Sequence, residues 1–417
     1  MAKRRVAVIV DAYSTQRYLP PLFHDRGYEC VHVQSGEIPS VMAPTWLPDN
    51  FADNIVHEGD LQQTLARVSA HEPEILIPGM ECGVELADQL SEQLGLRTNG
   101  TALSPARRDK YRMMETIRAA GVPAARQLLG TNWETIAQWY AQVGGRVVLK
   151  PLKSAGNDGV SFCDSLDELA EAYHAVVGKN SALNLYNEAV VVQEYLPGVE
   201  YYVNSISLDG VHYACDVWDT DHLEINGVRD LLGGSTLLPS TGPVSDVLVS
   251  YTFSVLDALG IQNGPAHTEL KLTPMGPRLI ETGARICGAD LPVLTRAALG
   301  AGQLEWTVDA YVNPEQFKER TTQPYEITRH ATCVNMISPA SGTLRDLPRM
   351  DQLKGLESYH DVIMRVQPGK PVHRTVNDFT YPMLVHLMHE VEAYVRRDYA
   401  TARYLDGVGF YDIAQDS

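Results

Sequence analysis

HTELKLTPMGPRLIETGAR, residues 267–285, carries two apolar runs, Leu270–Leu272 and Leu279–Ile280, with Pro and Gly between them. Extended apolar runs flanking a Pro/Gly stretch read as a β-hairpin. With the turn centred on Met275, Glu269 and Glu281 stand directly opposite one another, because 269 + 281 is twice 275. Opposed cross-strand residues have Cβ atoms about 5 Å apart, and like charges there repel. A hard cation removes that conflict, since Mg²⁺ takes one or two carboxylates together with nucleotide phosphates. Arg285, four residues after Glu281, is a candidate for neutralising a transferring phosphoryl group. His267 lies two residues before Glu269 on the same strand face; a place near the reacting oxyanion or phosphate and a packing role both fit it.

Two stretches upstream supply partners for such a site. The chain contains neither GxxxxGK[ST] nor GxGxxG, so no P-loop or dinucleotide fingerprint is present. Instead Lys150 ends the apolar run VVLK and is followed by PLKSAGNDGV. A small, Gly-containing loop lets backbone N–H groups approach phosphate oxygens, and Lys150 and Lys153 add charge. A polar hairpin loop with a snorkelling lysine also fits these residues. In QEYLPGVE (193–200) a strand ends at a Pro-Gly turn. Backbone groups of Glu194, Tyr195 and Leu196 suit an adenine edge, and Glu200 suits ribose hydroxyls; a solvated glutamate on a plain hairpin is the alternative.

Around these motifs the chain alternates. RVAVIVDAY (5–13), YECVHVQ (28–34) and PEILIPG (73–79) read as strands, with helical spacing between them at 61–71. That pattern predicts a parallel α/β unit with ligands at the strand ends, after Val10 and after Ile77. SPARRDKYRMMETIRAAGVP (104–123) reads as one helix with Ser104 as N-cap. Further helices are expected at 165–177, 245–261 and 382–397, with 211–242 as loops and strands and 313–326 as a polar connector. The division that follows is 1–110, 111–205 and 206–417, with a trailing segment from about 320.

The net charge of −18 over 417 residues argues against a general nucleic-acid or anionic-membrane binder. Six cysteines, with no CxxC pair among them, fit a reduced cytoplasmic protein. The run Val6–Val10 is too short for a signal peptide, and no stretch reaches the roughly 20 apolar residues of a membrane span.

Taken in order, Lys110 in RRDK, Lys150 in VVLKP with SAGNDGV, QEYLPGVE, and HTELKL…RLIETGAR resemble the ATP-grasp superfamily of carboxylate–amine ligases, over roughly residues 105–300. The resemblance implies an α/β (α+β) fold with an N-terminal parallel domain, a central lid and a C-terminal catalytic domain. It implies ATP and Mg²⁺ or Mn²⁺, with Lys110 and Lys150 on the nucleotide and Ser154–Gly159, including Gly156, as the mobile phosphate loop. Gln193, Glu194, Tyr195 and Leu196 become the adenine hinge, Glu200 the ribose ligand, Glu269 and Glu281 the metal ligands, and Arg285 the arginine at the acyl phosphate. Many members read Glu-x-Asn-x-Arg, with the Asn also touching metal or phosphate; here Gly283 replaces it. HTE…IE-x-x-AR-x-x-G is similar to bacterial L-amino-acid ligases of bacilysin and tabtoxin type. This implies dipeptide synthesis from two amino acids through an aminoacyl phosphate. A ligase for another acid (carnosine-type, nucleotide or siderophore assembly) and a non-catalytic nucleotide-binding module stay open, as does a homodimer. Substrate candidates are Glu81 and Glu85 for an ammonium group, Arg229 for a carboxylate, and Gly288 and Ala289 as pocket-lining small residues. Helix-start acids and a solvated loop fit the first three as well.

Overall fold

The computed structural model describes residues 4–407 and 409–414. β1 (Arg5–Val10), β2 (Tyr28–Gln34), β3 (Asp53–Val56) and β4 (Ile75–Pro78) form one sheet in the order β3-β2-β1-β4. Every pairing in it is parallel. β1 is buried from Val6 to Val10, as a strand covered on both faces must be. From β1 the chain steps outward to β2 and β3, then returns to the other side of β1 as β4. That reversal opens a crevice at the carboxyl ends of β1 and β4. The two loops there are pinned together: the Gly79 N–H donates to Val10 O at 2.7 Å and the Met80 N–H to Asp11 O at 2.9 Å. A Cβ on Gly79 would lie 2.4 Å from Asp11 O, so the crossing requires glycine. Glu81 follows directly.

β5 (Gln127–Gly130), β6 (Val147–Pro151), β7 (Ser161–Cys163) and β8 (Val190–Glu194) form a second, antiparallel sheet, the lid, ordered β5-β8-β6-β7. The helices Trp133–Val143 and Leu166–Val176 pack on it through Ile136, Leu169, Ala172 and Val176. Ser165 caps the second helix by accepting from the Glu168 N–H, as its sequence implies.

The remaining strands are β9 (Val199–Leu208), β10 (Val211–Ile225), β11 (Val228–Leu237), β12 (Gly264–Thr273), β13 (Gly276–Gly283), β14 (His330–Met336), β15 (Gly342–Asp346), β16 (Tyr359–Met364), β17 (Pro371–Val372), β18 (Met383–His389) and β19 (Asp412–Ala414). Eight of them make one sheet, β13-β12-β9-β10-β11-β14-β18-β16, and β17-β15-β19 make a small one. The helix Pro243–Ala258 packs on it through Leu248, Tyr251, Val255 and Leu256, which share a core with Met113, Met114 and Ile117 of the helix Lys110–Ala119. No helix among the described residues is long and apolar enough to cross a membrane.

Several expectations are revised. A boundary at 205 cuts β9, which pairs with β10 and β12 along its length; the change of sheet falls in the turn between β8 and β9. That turn is not a hairpin, because its flanking strands belong to different sheets. Residues 104–123 hold a 3₁₀ turn, Ser104–Arg107, and then an α-helix that starts at Lys110. Its N-cap is Asp109, which accepts from the Arg112 N–H, while Ser104 Oγ donates to Asp88 at 2.6 Å. The expected connector at 313–326 contains the helix Pro314–Arg320, held by Phe317 against Trp306. The expected helix at 382–397 is instead β18, with a helix at Glu392–Leu405. MLVHLMH is almost wholly buried, and a short buried run without alternation does not separate strand from helix. In the trailing segment from about 320, β14, β18 and β16 continue the eight-stranded sheet, while β15, β17 and β19 form the small one.

Candidate active site

The hairpin β12–β13 brings Glu269 and Glu281 face to face, with His267 opposite Gly283. The turn differs from the one expected. Thr273 pairs with Gly276 and Leu270 with Leu279, so the loop is the two residues Pro274 and Met275. A bulge at Ile280 then shifts the register and restores the Glu269–Glu281 pairing. Bulges re-aim side chains next to functional sites, and this one aligns the two carboxylates.

Their charges are offset locally. Lys110 Nζ lies 2.7 Å from Glu281 Oε2 and donates to Ser154 O at 3.1 Å. His267 Nε2 meets Glu269 Oε1 at 3.1 Å. The tautomer of His267 follows from its other neighbours. Asn204 Nδ2 donates to Asp216 at 2.5 Å, so Asn204 Oδ1 accepts from His267 Nδ1 at 2.7 Å. With Nδ1 carrying a proton, Nε2 needs a second one to face a carboxylate, and the ring is an imidazolium. Burial works against that charge, and Cys287 and Glu269 outweigh it, lifting the ring to about 10. Glu269 Oε2 and Glu281 Oε1 have no hydrogen-bond partner among the described residues. Two such oxygens on facing carboxylates fit a Mg²⁺ ion that completes its shell with phosphate oxygens and water.

Both glutamates line a cavity between the lid and the eight-stranded sheet, together with Lys110, Lys150, Ser154, Gly156, Gln193–Leu196, Glu200 and Arg285. Twelve of the nucleotide and catalytic candidates therefore meet in one place, with the hinge contributing four. Gly159 stands outside the lining, and His267 behind it. Lys150 is 8% exposed and forms no ion pair or hydrogen bond among the described residues. Burial lowers its ammonium from the ordinary value despite nearby Glu281. In the hinge, the Glu194 carboxylate accepts from the Arg126 N–H and Nε, and Gln193 Nε2 donates to Gln127 Oε1. Those side chains brace the hinge against the β5 side.

Glu200 sits across from Lys271, with His222 and Asp230 beside it. Burial pushes the Glu200 carboxyl up while His222 and Lys271 pull it down. Three of these groups are spaced to hold a metal ion. Lys271 Nζ, 3.5 Å from Asp230 and 3.8 Å from Glu200, already supplies the positive charge there.

The substrate candidates fare differently. Glu81 is 4% exposed, and both its oxygens are taken: Arg108 Nη1 donates to Oε1 at 2.5 Å and Arg285 Nε to Oε2 at 2.6 Å. The two guanidiniums outweigh burial and hold it at about 2. It is not free to take an ammonium group. Glu85 pairs with Lys153 at 3.0 Å, outside the cavity. Arg229 binds the protein's own lid: it donates to Phe162 O at 2.9 Å and to Glu168 at 3.0 Å and pairs with Asp164 at 2.8 Å. Gly288 and Ala289 are absent from the cavity lining; Ala289 is exposed, with φ of 56°.

Arg229 thus latches the lid to β11, and the Asp378 N–H, donating to Gly156 O at 3.2 Å, holds the loop at 154–159 at a second point. Arg229→Ala is expected to leave the fold intact and to speed proteolysis within residues 153–160 several-fold. Unchanged cleavage would remove the latch from the account.

Sequence reasoning missed Arg108, Lys271, His222 and Asp230. Lys271 was within reach, being two residues past Glu269 on the same strand face. Arg108 sits two residues before Lys110 in RRDK. His222 and Asp230 are brought together by the β10–β11 hairpin, and its two-residue Asn226-Gly227 turn is a local signal that could have found them.

Known proteins agree with this architecture. A model of the ATP-grasp domain matches residues 143–292. A dapdiamide A synthase from Enterobacter agglomerans is 32% identical over 96% of this chain and 95% of its own length. An alanine–anticapsin ligase from Bacillus subtilis is 23% identical over 52% of this chain and 49% of its own. The crystal structure of an L-amino acid ligase from Bacillus licheniformis superposes with a TM-score of 0.75 at 16% identity, over 100% of this chain and 99% of that one, which shows a shared fold. On the full-length similarity, and with lid, cavity and facing glutamates in place, the chain belongs to the ATP-grasp family of carboxylate–amine ligases.

Proposed function

We propose that this protein joins two L-amino acids into a dipeptide, using ATP and passing through an aminoacyl phosphate. The observation that carries the reading is a buried ammonium without a counter-ion, Lys150, in one cavity with the Glu269–Glu281 pair. That cavity is prepared for a polyphosphate and its metal rather than for a neutral ligand. Relatives whose names denote amide-forming ligases support the choice of substrates.

Lys110 and Lys150 hold the phosphates, the loop from Ser154 to Gly159 covers them, and the Glu194–Leu196 backbone borders the base. Glu200, with Lys271 and His222 behind it, meets the ribose. Glu269 and Glu281 would hold Mg²⁺, which when bound supplies charge neutralisation for the phosphates. An oxygen of the first amino acid's carboxylate attacks the γ-phosphorus, and the bond to ADP breaks. Arg285 neutralises the charge on the transferring group. The neutral amine of the second amino acid then attacks the carbonyl carbon. The C–O bond to phosphate breaks, an N–H proton departs, and dipeptide and phosphate leave. Chemistry of this kind is mostly positioning and electrostatics. None of the six free cysteines lines the cavity, and no covalent enzyme intermediate is needed. A reducing, ATP-supplied cytoplasm suits those thiols.

The test is a pairwise screen of L-amino acids with ATP and Mg²⁺, scored by phosphate release and by mass spectrometry of products. The reading expects a dipeptide from at least one pair, at one ADP per bond. Phosphate release that depends on a different acid, with no dipeptide from any pair, would reassign the substrates.

A further inference from the structure

We propose that Glu81 is a positioning residue for Arg285, reaching from the N-terminal domain to fix the guanidinium, and that Gly283 lacks a side chain to make room for that pair. This rests on the reading of Arg285 as the group at the transferring phosphoryl. Three observations carry it.

The first is hydrogen bonding. Arg285 is held at two points, Nε to Glu81 Oε2 at 2.6 Å and Nη1 to Ile286 O at 3.0 Å. Nη2 has no hydrogen-bond partner among the described residues, and the residue lines the cavity. Arginine loses several rotatable bonds of freedom when it grips a ligand. Two fixed points remove that freedom beforehand and leave a donor for the phosphoryl oxygens, which is electrostatic preorganisation.

The second is location. Glu81 stands at the carboxyl end of β4, in the crevice where the order of the parallel sheet reverses. Its other oxygen takes Arg108, two residues before Lys110, and Lys110 grips Glu281 at 2.7 Å. Side-chain exposures of 5% for Glu81, 13% for Arg285 and 3% for Arg108 keep water from competing. The N-terminal domain thereby reaches both the arginine and the carboxylate clamp of the catalytic sheet.

The third is steric. A Cβ at position 283 would lie 2.9 Å from Glu81 Oε2, 3.2 Å from Arg285 Nε and 3.3 Å from Arg285 Cζ. A side chain there and the Glu81–Arg285 pair claim one volume. The position where many ATP-grasp members carry Asn is emptied here because a buried carboxylate occupies the space.

The experiment compares wild type with Glu81→Gln, Gly283→Ala and the double variant. Titration calorimetry measures the affinity of each for Mg²⁺ with a non-hydrolysable ATP analogue and for Mg²⁺ with ADP, and thermal unfolding is followed by circular dichroism. Wild type is expected to prefer the triphosphate. Each single variant should reduce that preference about tenfold, the worth of one charged hydrogen bond, with ADP affinity held within about twofold. The double variant should lose no more than either single, since both act on the same pair. Gly283→Ala keeps all three charges, so it carries the test if Glu81→Gln does not fold. Folded variants with an undiminished triphosphate preference, or losses that add in the double variant, would overturn the proposal, because a merely structural Glu81 lowers the melting temperature alone. Wild type that binds no nucleotide would instead overturn the reading of the cavity beneath it.

Discussion

Glu281→Gln is expected to lower turnover by about 10²–10³-fold, the cost typical of deleting one group that stabilises a phosphoryl or acyl transition state. The substitution conserves volume and keeps one oxygen, so packing changes little. It removes the negative charge that Lys110 meets at 2.7 Å and that faces Glu269 across the hairpin. Lys110 then turns to the next acceptor, and the metal site keeps only one carboxylate. Folding stability should move little, because the lost attraction to Lys110 is balanced by relief of the carboxylate pair. The check is amino-acid-dependent phosphate release, with nucleotide affinity measured with and without Mg²⁺. The Mg²⁺ dependence of ATP binding should shrink along with the rate. A variant with wild-type turnover would remove Glu281 from the metal site.

Lys150→Met should nearly abolish tight ATP binding and at the same time raise the melting temperature of the free protein. The reason lies in the sign of the Lys150 shift. Burial is its largest cause and lowers the pKa, outweighing the attraction of Glu281. A lowered lysine pKa means that the charged form is less comfortable folded than unfolded, and this ammonium has no ion-pair partner to offset the difference. A thioether of similar length removes that penalty. The gain should be about 1 kcal/mol, in the range seen when functional sites are relieved of strain. ATP should lose its protective effect on unfolding, because ligand stabilisation scales with binding. A variant that is destabilised and still ATP-protected would show that the ammonium serves folding and not phosphate.

Much of this site was legible because its chemistry is local in sequence. Lys150 closes an apolar strand, and the glutamates flank one hairpin. Sheet pairing then needed only a turn, although the turn proved to be Pro274–Met275 and the register was rescued by the Ile280 bulge. The parallel domain was legible from RVAVIV and its repeats, since strands buried on both faces are uniformly apolar. Tertiary pairing was not. Glu81 looked like an acid awaiting an ammonium group, and Arg229 like a carboxylate receptor; each had found its counter-ion far along the chain, Arg285 in one case and Glu168 in the other. A sequence shows charge but not which partner the fold supplies. The missed strand at Met383–His389 has the same origin: a run buried on both faces has no period to read.

The absence of Asn at 283 is the clearest gain from structure over sequence. From the sequence it weakened the metal site. In the structure the two carboxylates keep free oxygens, and the missing side chain accommodates the Glu81–Arg285 pair. The departure concerns the arginine more than the metal.

In the proposed reaction ATP activates an amino-acid carboxylate by direct phosphorylation. Its most direct test is to supply ATP, Mg²⁺ and a mixture of amino acids carrying ¹⁸O in their carboxylates, and to weigh the released phosphate by mass spectrometry. An aminoacyl phosphate carries one carboxylate oxygen away with the phosphoryl group, so each dipeptide formed should be matched by one phosphate containing a single ¹⁸O. Phosphate released without label, in step with dipeptide, would contradict the account.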